Sequence, residues 1–149
     1  MYDRILVAID AAPDSPDDSL RRTARFAKMT GGTVYLLHVA RGHIIPEDIT
    51  AGAGFGVLSA EDDVDARERQ VVQDAVDYLA SEGVTVHGEM VNATKHDVAD
   101  AILQRAKELE VDIIVLGYQH HRESTVAEHV IRHHPPCSIL LARPPVEHR

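Results

Sequence analysis

The sequence contains no tryptophan, only 4% aromatic residues and a single cysteine, Cys137. One cysteine excludes an intrachain disulfide framework and a thiolate-only zinc site, and it indicates a reducing compartment. No apolar run approaches the roughly 18 residues of a membrane-spanning helix, and the N-terminus shows no signal-peptide pattern. We therefore expect a cytoplasmic protein that does not insert into a membrane.

Positive charge is also scarce. Lys and Arg together number 15 against 24 Asp and Glu, which gives a net charge of −9. This balance argues against nucleic acid as a partner, because phosphate neutralisation needs a concentrated basic surface. It argues equally against attachment to anionic lipid through a polybasic patch. At 149 residues the chain has the length of one ordinary domain.

Five short apolar runs have the character of strands. Four are nearly continuous in Val, Ile and Leu, as expected of strands covered on both faces, while the third alternates as an edge strand does. The predicted strands are Arg4–Ile9, Thr33–Val39, Val84–Val91, Asp112–Gly117 and Ser138–Ala142.

Amphipathic helical patterns separate these runs. The first helix ends at Thr30, before Gly31 and Gly32, and the second extends from about Glu61 to Ser81 and is followed by Gly83. The third begins at Asp97, and the fourth extends from about Ser124 to His133. Strands that alternate with helices predict a parallel sheet with helices on both faces. We expect a flexible loop over residues 41–60 within this single domain.

Ligands of such open sheets bind beyond the carboxyl ends of the strands, where the winding reverses. The strand ends to consider are Asp10, Val39 and Gly117. Asp10 could accept hydrogen bonds from a ribose or a base, or it could simply cap a helix or form a turn. The glycines of Gly52–Gly56 have the wrong spacing for a dinucleotide fingerprint and follow no strand directly, so they indicate a loop, one that could act as a lid.

Ten histidines are present, and five of them lie between His120 and His134. His129 and His133 are four residues apart on one predicted helix, which is a metal-ligand spacing. Histidines near a helix C-terminus are also favoured there by the helix dipole. A pH-responsive surface near a subunit interface is the third interpretation.

Several blocks of the sequence resemble the universal stress protein family, in order and over essentially the whole chain. The blocks are Ile5–Asp10, Tyr35–Val39, Ala99–Ile102, Asp112–Gly117, Thr125–His133 and Cys137–Leu141. The resemblance implies an adenine-nucleotide alpha-hydrolase-like fold with strand order 3-2-1-4-5. It also implies a homodimer that pairs through the last strand, at Ser138, Ile139, Leu140 and Leu141.

Members of this family that bind ATP carry a glycine motif after the fourth strand, which cradles the phosphates with backbone N–H groups. The resemblance implies that Asp10 would hold the adenosine, that the backbone of Val39 would meet the adenine, and that Gly117 would be the first glycine. Thr125 would supply the phosphate hydroxyl, followed by Val126.

The sequence departs from this motif between the fourth strand and the following helix. His120 stands in the place of the second glycine, Ser124 in the place of the third, and the stretch between them is shortened to residues 121–123. Glu123 adds negative charge there, which Arg122 could offset. We therefore expect the binding of ATP to be weakened or lost, and a smaller adenine nucleotide such as AMP, or no cofactor at all, to be favoured.

These observations predict a regulatory or protective dimer of the stress response that is not an enzyme, since no nucleophilic triad can be recognised. The first alternative is an adenine-nucleotide-binding switch for ATP, AMP or cyclic AMP, or a slow ATPase. It would use Asp10, Val39, Gly117 and Thr125, with Arg122 and Ser124 beside them. The second alternative is a metal-binding protein that uses His129 and His133.

Overall fold

In a computed structural model of the protein, the described residues are 2–9, 18–41, 54–93, 98–117 and 125–142. Strands and helices alternate along these ranges: β1 (Arg4–Ile9), α1 (Asp18–Thr30), β2 (Thr33–Arg41), α2 (Gly54–Ser81), β3 (Val86–Ala93), α3 (Val98–Glu108), β4 (Ile113–Gly117), α4 (Thr125–Arg132) and β5 (Ser138–Ala142).

All five strands form one parallel sheet in the order β3-β2-β1-β4-β5. The central strand, β1, pairs with β2 on one side and with β4 on the other. This arrangement confirms both the parallel sheet and the strand order that the family resemblance implied. The winding reverses at β1, because the chain passes outward through β2 and β3 before it returns to β4.

The helices form one layer on each face of the sheet. Ala24 of α1 and Leu79 of α2 pack against the first face, together with Ile5 and Val7 of β1. On the second face, helices α3 and α4 pack against alternate residues of the same strands, such as Leu6. The continuous apolar character of the strands therefore has the predicted cause: each strand is covered on both faces.

Two helices end where glycine permits a left-handed backbone. Gly31 has φ +72° and its N–H donates to the carbonyl of Ala27, while Gly83 has φ +81° and follows α2. These ends agree with the sequence prediction that glycine terminates both helices. No helix within the described ranges is both long enough and apolar enough to cross a membrane.

Several predicted boundaries are wrong. Helix α2 begins at Gly54 rather than near Glu61, so residues 54–60 of the predicted loop are helical, and β2 continues to Arg41. The glycines misled the prediction because they fall in the first turn, where the N–H groups have no partner within the helix and glycine is tolerated. Strand β3 begins at Val86 rather than Val84, because the Val84 N–H donates to Leu79 O and closes α2. Residues 42–53 lie outside the described ranges.

Candidate functional site

The pairing of the strands at the switch point can be followed to the ends of the described ranges. The described pairing of β1 with β4 reaches Ala8 and Leu116, and that of β1 with β2 reaches Ile9 and His38. Gly117, the last residue of β4, pairs with Ala142 of β5. Residue 10 and residues 118–124, which follow β1 and β4, lie outside the described ranges. This carboxyl edge, where the winding reverses, is the position where folds of this type bind their ligands.

Val39 lies near this edge with its side chain buried. The side chain is 8% exposed and packs in the core beneath α3 and α4. Its neighbour on β3 is Val91, and the described pairing with β1 reaches the preceding residue, His38. Asp10, which follows the last described residue of β1, lies outside the described ranges.

Gly117 and the start of α4 lie at the same edge. Gly117 is exposed at the end of β4, and α4 begins at Thr125, the next described residue along the chain. In a β-α-β crossover between parallel strands, the helix begins at the carboxyl edge of the sheet. The N–H groups in the first turn of α4 and the positive end of its dipole therefore lie at the edge where an anionic group would be held. Val126 is half-buried against the core.

Several of the predicted site residues lie outside the described ranges. They are Asp10, Arg122 and Ser124, together with His120, Glu123 and the side chain of Thr125. Their roles remain predictions from the sequence. The structure does place two of the predicted positions, Val39 and Gly117, at the carboxyl edge on either side of the central strand.

His38, which no sequence pattern indicated as a site residue, is buried near the carboxyl end of β2. The residue is 1% exposed, and its Nδ1 lies 3.2 Å from the carbonyl oxygen of Ile9. Its Nε2 has no hydrogen-bond partner among the described residues and lies 3.8 Å from Oε1 of Glu68 on α2.

A signal for this contact existed in the sequence. Glu68 is four residues before Val72 and seven before Ala75, so it falls in the apolar stripe of α2. A carboxylate in the apolar stripe of a helix, combined with a histidine in an otherwise apolar strand, is a pattern that indicates a buried polar contact.

His129 and His133 share one face of the end of α4, as the spacing predicts. Their ring centroids are 5.8 Å apart in an edge-to-face arrangement, and both side chains are exposed. Within the described residues, no group of three or more His, Cys, Asp and Glu side chains could hold a metal ion. His120 and His121 lie outside the described ranges.

Strand β5 forms one edge of the sheet and carries the residues expected at a dimer interface. Ile139 and Leu140 are half-buried, Ser138 is exposed, and Leu141 is 36% exposed. The strand pairs with β4 on one side, and within the described residues no strand lies on the other. An apolar edge strand of this kind presents unpaired backbone groups to another chain.

Taken together, the strand order and the two helical layers define a doubly wound parallel α/β domain, a fold whose members bind ligands at the switch point. The model of the universal stress protein family matches residues 1–143, and the chain belongs to this family. Among curated proteins, none gives a significant match to the sequence.

Solved structures of the family have the same fold. A universal stress protein from Archaeoglobus fulgidus in complex with dAMP is 26% identical, with a TM-score of 0.68 over 94% of this chain and 97% of that one. The protein UspA from Lactobacillus plantarum is 21% identical, with a TM-score of 0.73 over 95% and 98% of the two chains. A universal stress protein in complex with cAMP is 16% identical, with a TM-score of 0.63 over 95% and 97%.

Proposed function

We propose that this protein is a regulatory or protective homodimer of the stress response, cytoplasmic and non-enzymatic, which does not hold ATP tightly. Membership of the universal stress protein family supports the stress-response role. The observation that carries the proposal is the short connection from Gly117 to Thr125, where His120 and Ser124 replace two glycines of the phosphate cradle. Without those glycines, fewer backbone N–H groups can approach a triphosphate.

The apolar edge at β5 supports the dimeric state. Leu141 is 36% exposed, and Ile139 and Leu140 beside it are only partly covered. Pairing with a second copy of β5 would satisfy the backbone groups of this edge and remove its apolar side chains from water. The dimer therefore explains why an apolar strand stands at the edge of the sheet.

A second candidate function is that of a switch that binds an adenine monophosphate. Val39 on β2 and Gly117 on β4 lie at the carboxyl edge on either side of β1, at the height where an adenine would enter. Relatives of the same fold hold dAMP in one case and cAMP in another. A monophosphate needs fewer N–H donors than ATP, and the first turn of α4 supplies some of them.

Titration calorimetry with ATP, AMP and cyclic AMP separates these functions. We expect no ATP binding below the millimolar range, and the switch additionally requires AMP or cyclic AMP to bind in the micromolar range. Asp10→Asn should then weaken AMP binding, because a neutral amide is a poorer acceptor for ribose hydroxyls. Micromolar ATP binding would overturn the first proposal, and the absence of binding by all three nucleotides would overturn the switch.

A further inference from the structure

The carboxyl end of β1 is joined to its neighbours by a side chain as well as by the strand ladder. Ile9 is the last residue of β1, and its register partner on β2 is His38. A carbonyl oxygen only accepts hydrogen bonds, so the Nδ1···O distance of 3.2 Å requires that Nδ1 carries the proton and donates it to Ile9 O.

Among the described residues, the Nδ1 bond to Ile9 O is the principal interaction of the His38 ring. His38 has the same strand parity as Leu36, whose side chain belongs to the face covered by α1 and α2. On that face, Nε2 has no hydrogen-bond partner among the described residues, and its distance of 3.8 Å from Glu68 Oε1 is too long for a direct bond. A buried imidazole with one unsatisfied nitrogen is costly compared with an apolar side chain. Its value to the fold or to the site therefore rests on the Nδ1 bond.

The carbonyl that accepts this bond belongs to the peptide group that leads out of β1. Since a peptide group is planar, a hydrogen bond to Ile9 O restrains the whole group at the end of the strand. The described pairing of β1 with β4 reaches Ala8, one residue before this point. The restraint from β2 is therefore applied at the carboxyl end of β1, where the winding of the sheet reverses and where the proposed ligand site lies.

We propose that His38 is a positioning residue, which sets the carboxyl end of β1 for nucleotide binding through the Nδ1–H bond to Ile9 O. This inference rests on the proposed switch function, since it assigns a residue to the same site. Glu68 of α2, which is only 16% exposed, lies 3.8 Å from Nε2, on the opposite side of the ring from Ile9 O. His38 itself touches no nucleotide, because its side chain is buried beneath α2.

Two substitutions separate positioning from packing. The side-chain nitrogen of asparagine is attached at the same distance from Cβ as Nδ1, so His38→Asn keeps a donor for Ile9 O and removes the remainder of the ring. His38→Leu has a similar bulk to asparagine but no donor. The matched controls are His87→Asn and His87→Leu, because His87 occupies the neighbouring strand β3 and is exposed.

We expect His38→Leu to weaken AMP binding about tenfold, the effect of one lost hydrogen bond. We expect the AMP affinity of His38→Asn to remain within about twofold of the wild-type affinity, a change smaller than the loss of one hydrogen bond would cause. The His87 variants should bind as the wild type does. Equal loss in both His38 variants would assign the residue to packing and overturn the proposal, as would unchanged binding in His38→Leu.

A measurement on the ligand-free protein tests the positioning bond separately. Ring ¹⁵N resonances of His38 should report a protonated Nδ1, and hydrogen exchange of the amides around the end of β1 should be faster in His38→Leu than in His38→Asn. An unprotonated Nδ1 would overturn the proposal even if His38→Leu fails to fold. If the wild type binds no AMP while these two results hold, the proposed switch fails and the bond to Ile9 stands.

Discussion

The two edge strands of the sheet differ in how they meet solvent. On β3, Gly88 lies so close to α2 that an added Cβ would be 2.6 Å from Cγ2 of Val76, and the next residue, Glu89, pairs through both oxygens with Arg105 of α3. Helices therefore hold this edge from both faces, one by close packing and the other by an ion pair.

Strand β5 is covered less completely and carries no comparable ion pair among the described residues. Its central residues are aliphatic, Leu141 is 36% exposed, and Ile131 on α4 is 48% exposed. Natural sheets protect an edge with charges or with a covering element, or they use it for association. The difference indicates that β3 is a closed edge and β5 is an edge available to a second copy of the chain.

The largest expected effect is the loss of the proposed dimer when a charge is placed on β5. Leu141→Asp should convert a particle of twice the 16.4 kDa chain mass into a monomer, because a carboxylate buried in an apolar interface has no partner. Sedimentation velocity measures this change. His87→Asp, which places the same charge on the exposed part of β3, should leave the mass unchanged. A monomeric wild-type protein would contradict the proposal that β5 is an edge available for association.

Adding a methyl group at Gly88 should destabilise the packing of β3 against α2. The Cβ of Gly88→Ala would lie 2.6 Å from one methyl of Val76 and 3.0 Å from one methyl of Val72, so α2 or the strand must shift. We expect the free energy of unfolding to fall by about 1–3 kcal/mol, as measured by urea denaturation. The double variant Gly88→Ala/Val76→Ala should recover part of the loss. If the changes in the free energy of unfolding from the two substitutions simply add in the double variant, the clash is not the cause.

Removing the ion pair at the same edge should have a smaller effect. Arg105→Ala removes the bonds to Glu89 and the bond of Nη1 to Glu108. The Arg105 side chain is 26% exposed, so solvent weakens these ion pairs. We expect a loss of about 1 kcal/mol, again by urea denaturation. Arg105→Lys should retain only part of the stability, because lysine cannot reproduce the paired geometry of the guanidinium.

The contribution of the Arg105 cluster should also depend on pH. Hydrogen bonds from Gln104 and then from Arg105 lower the pKa of Glu108. Hydrogen bonds to Glu89 and then to Glu108 raise the pKa of Arg105 further above its ordinary value. A lowered carboxylate pKa stabilises the folded state above the ordinary glutamate pKa of about 4.3, and this stabilisation disappears as the pH falls through the folded-state pKa. The difference between wild type and Arg105→Ala should therefore shrink in acid. A difference that is constant with pH would contradict this assignment.

The smallest effect concerns Cys137, which immediately precedes β5. Burial, and secondarily the charge of Asp112, raises the pKa of the Cys137 thiol. Less thiolate is then present at mildly alkaline pH, so the thiol should react with a disulfide reagent several-fold more slowly in the folded protein than in urea. Equal rates in the two states would show that this end of β5 is open to reagent.

Much of the fold could be predicted from local patterns. The bounds of β1 and β5 were predicted without error, and the ends of α1 and α2 followed from glycine. The start of α2 could not be predicted in this way, because Gly54 and Gly56 weaken a helical pattern that the first turn tolerates. The site was predicted less completely. Gly117 is the last residue of β4, as predicted, whereas β2 continues two residues beyond the predicted end at Val39, to Arg41. His38 was overlooked because it occupies an otherwise apolar strand.

The sequence alone was sufficient for the order of elements, the two helical layers and the family, because these depend on periodicity and on residue types within each segment. Two features depended on the tertiary structure: the bond from His38 to Ile9 and the unequal protection of the two edges. Each depends on the register between segments distant in the chain. Strand register is set by packing across the whole sheet, and no local pattern encodes it.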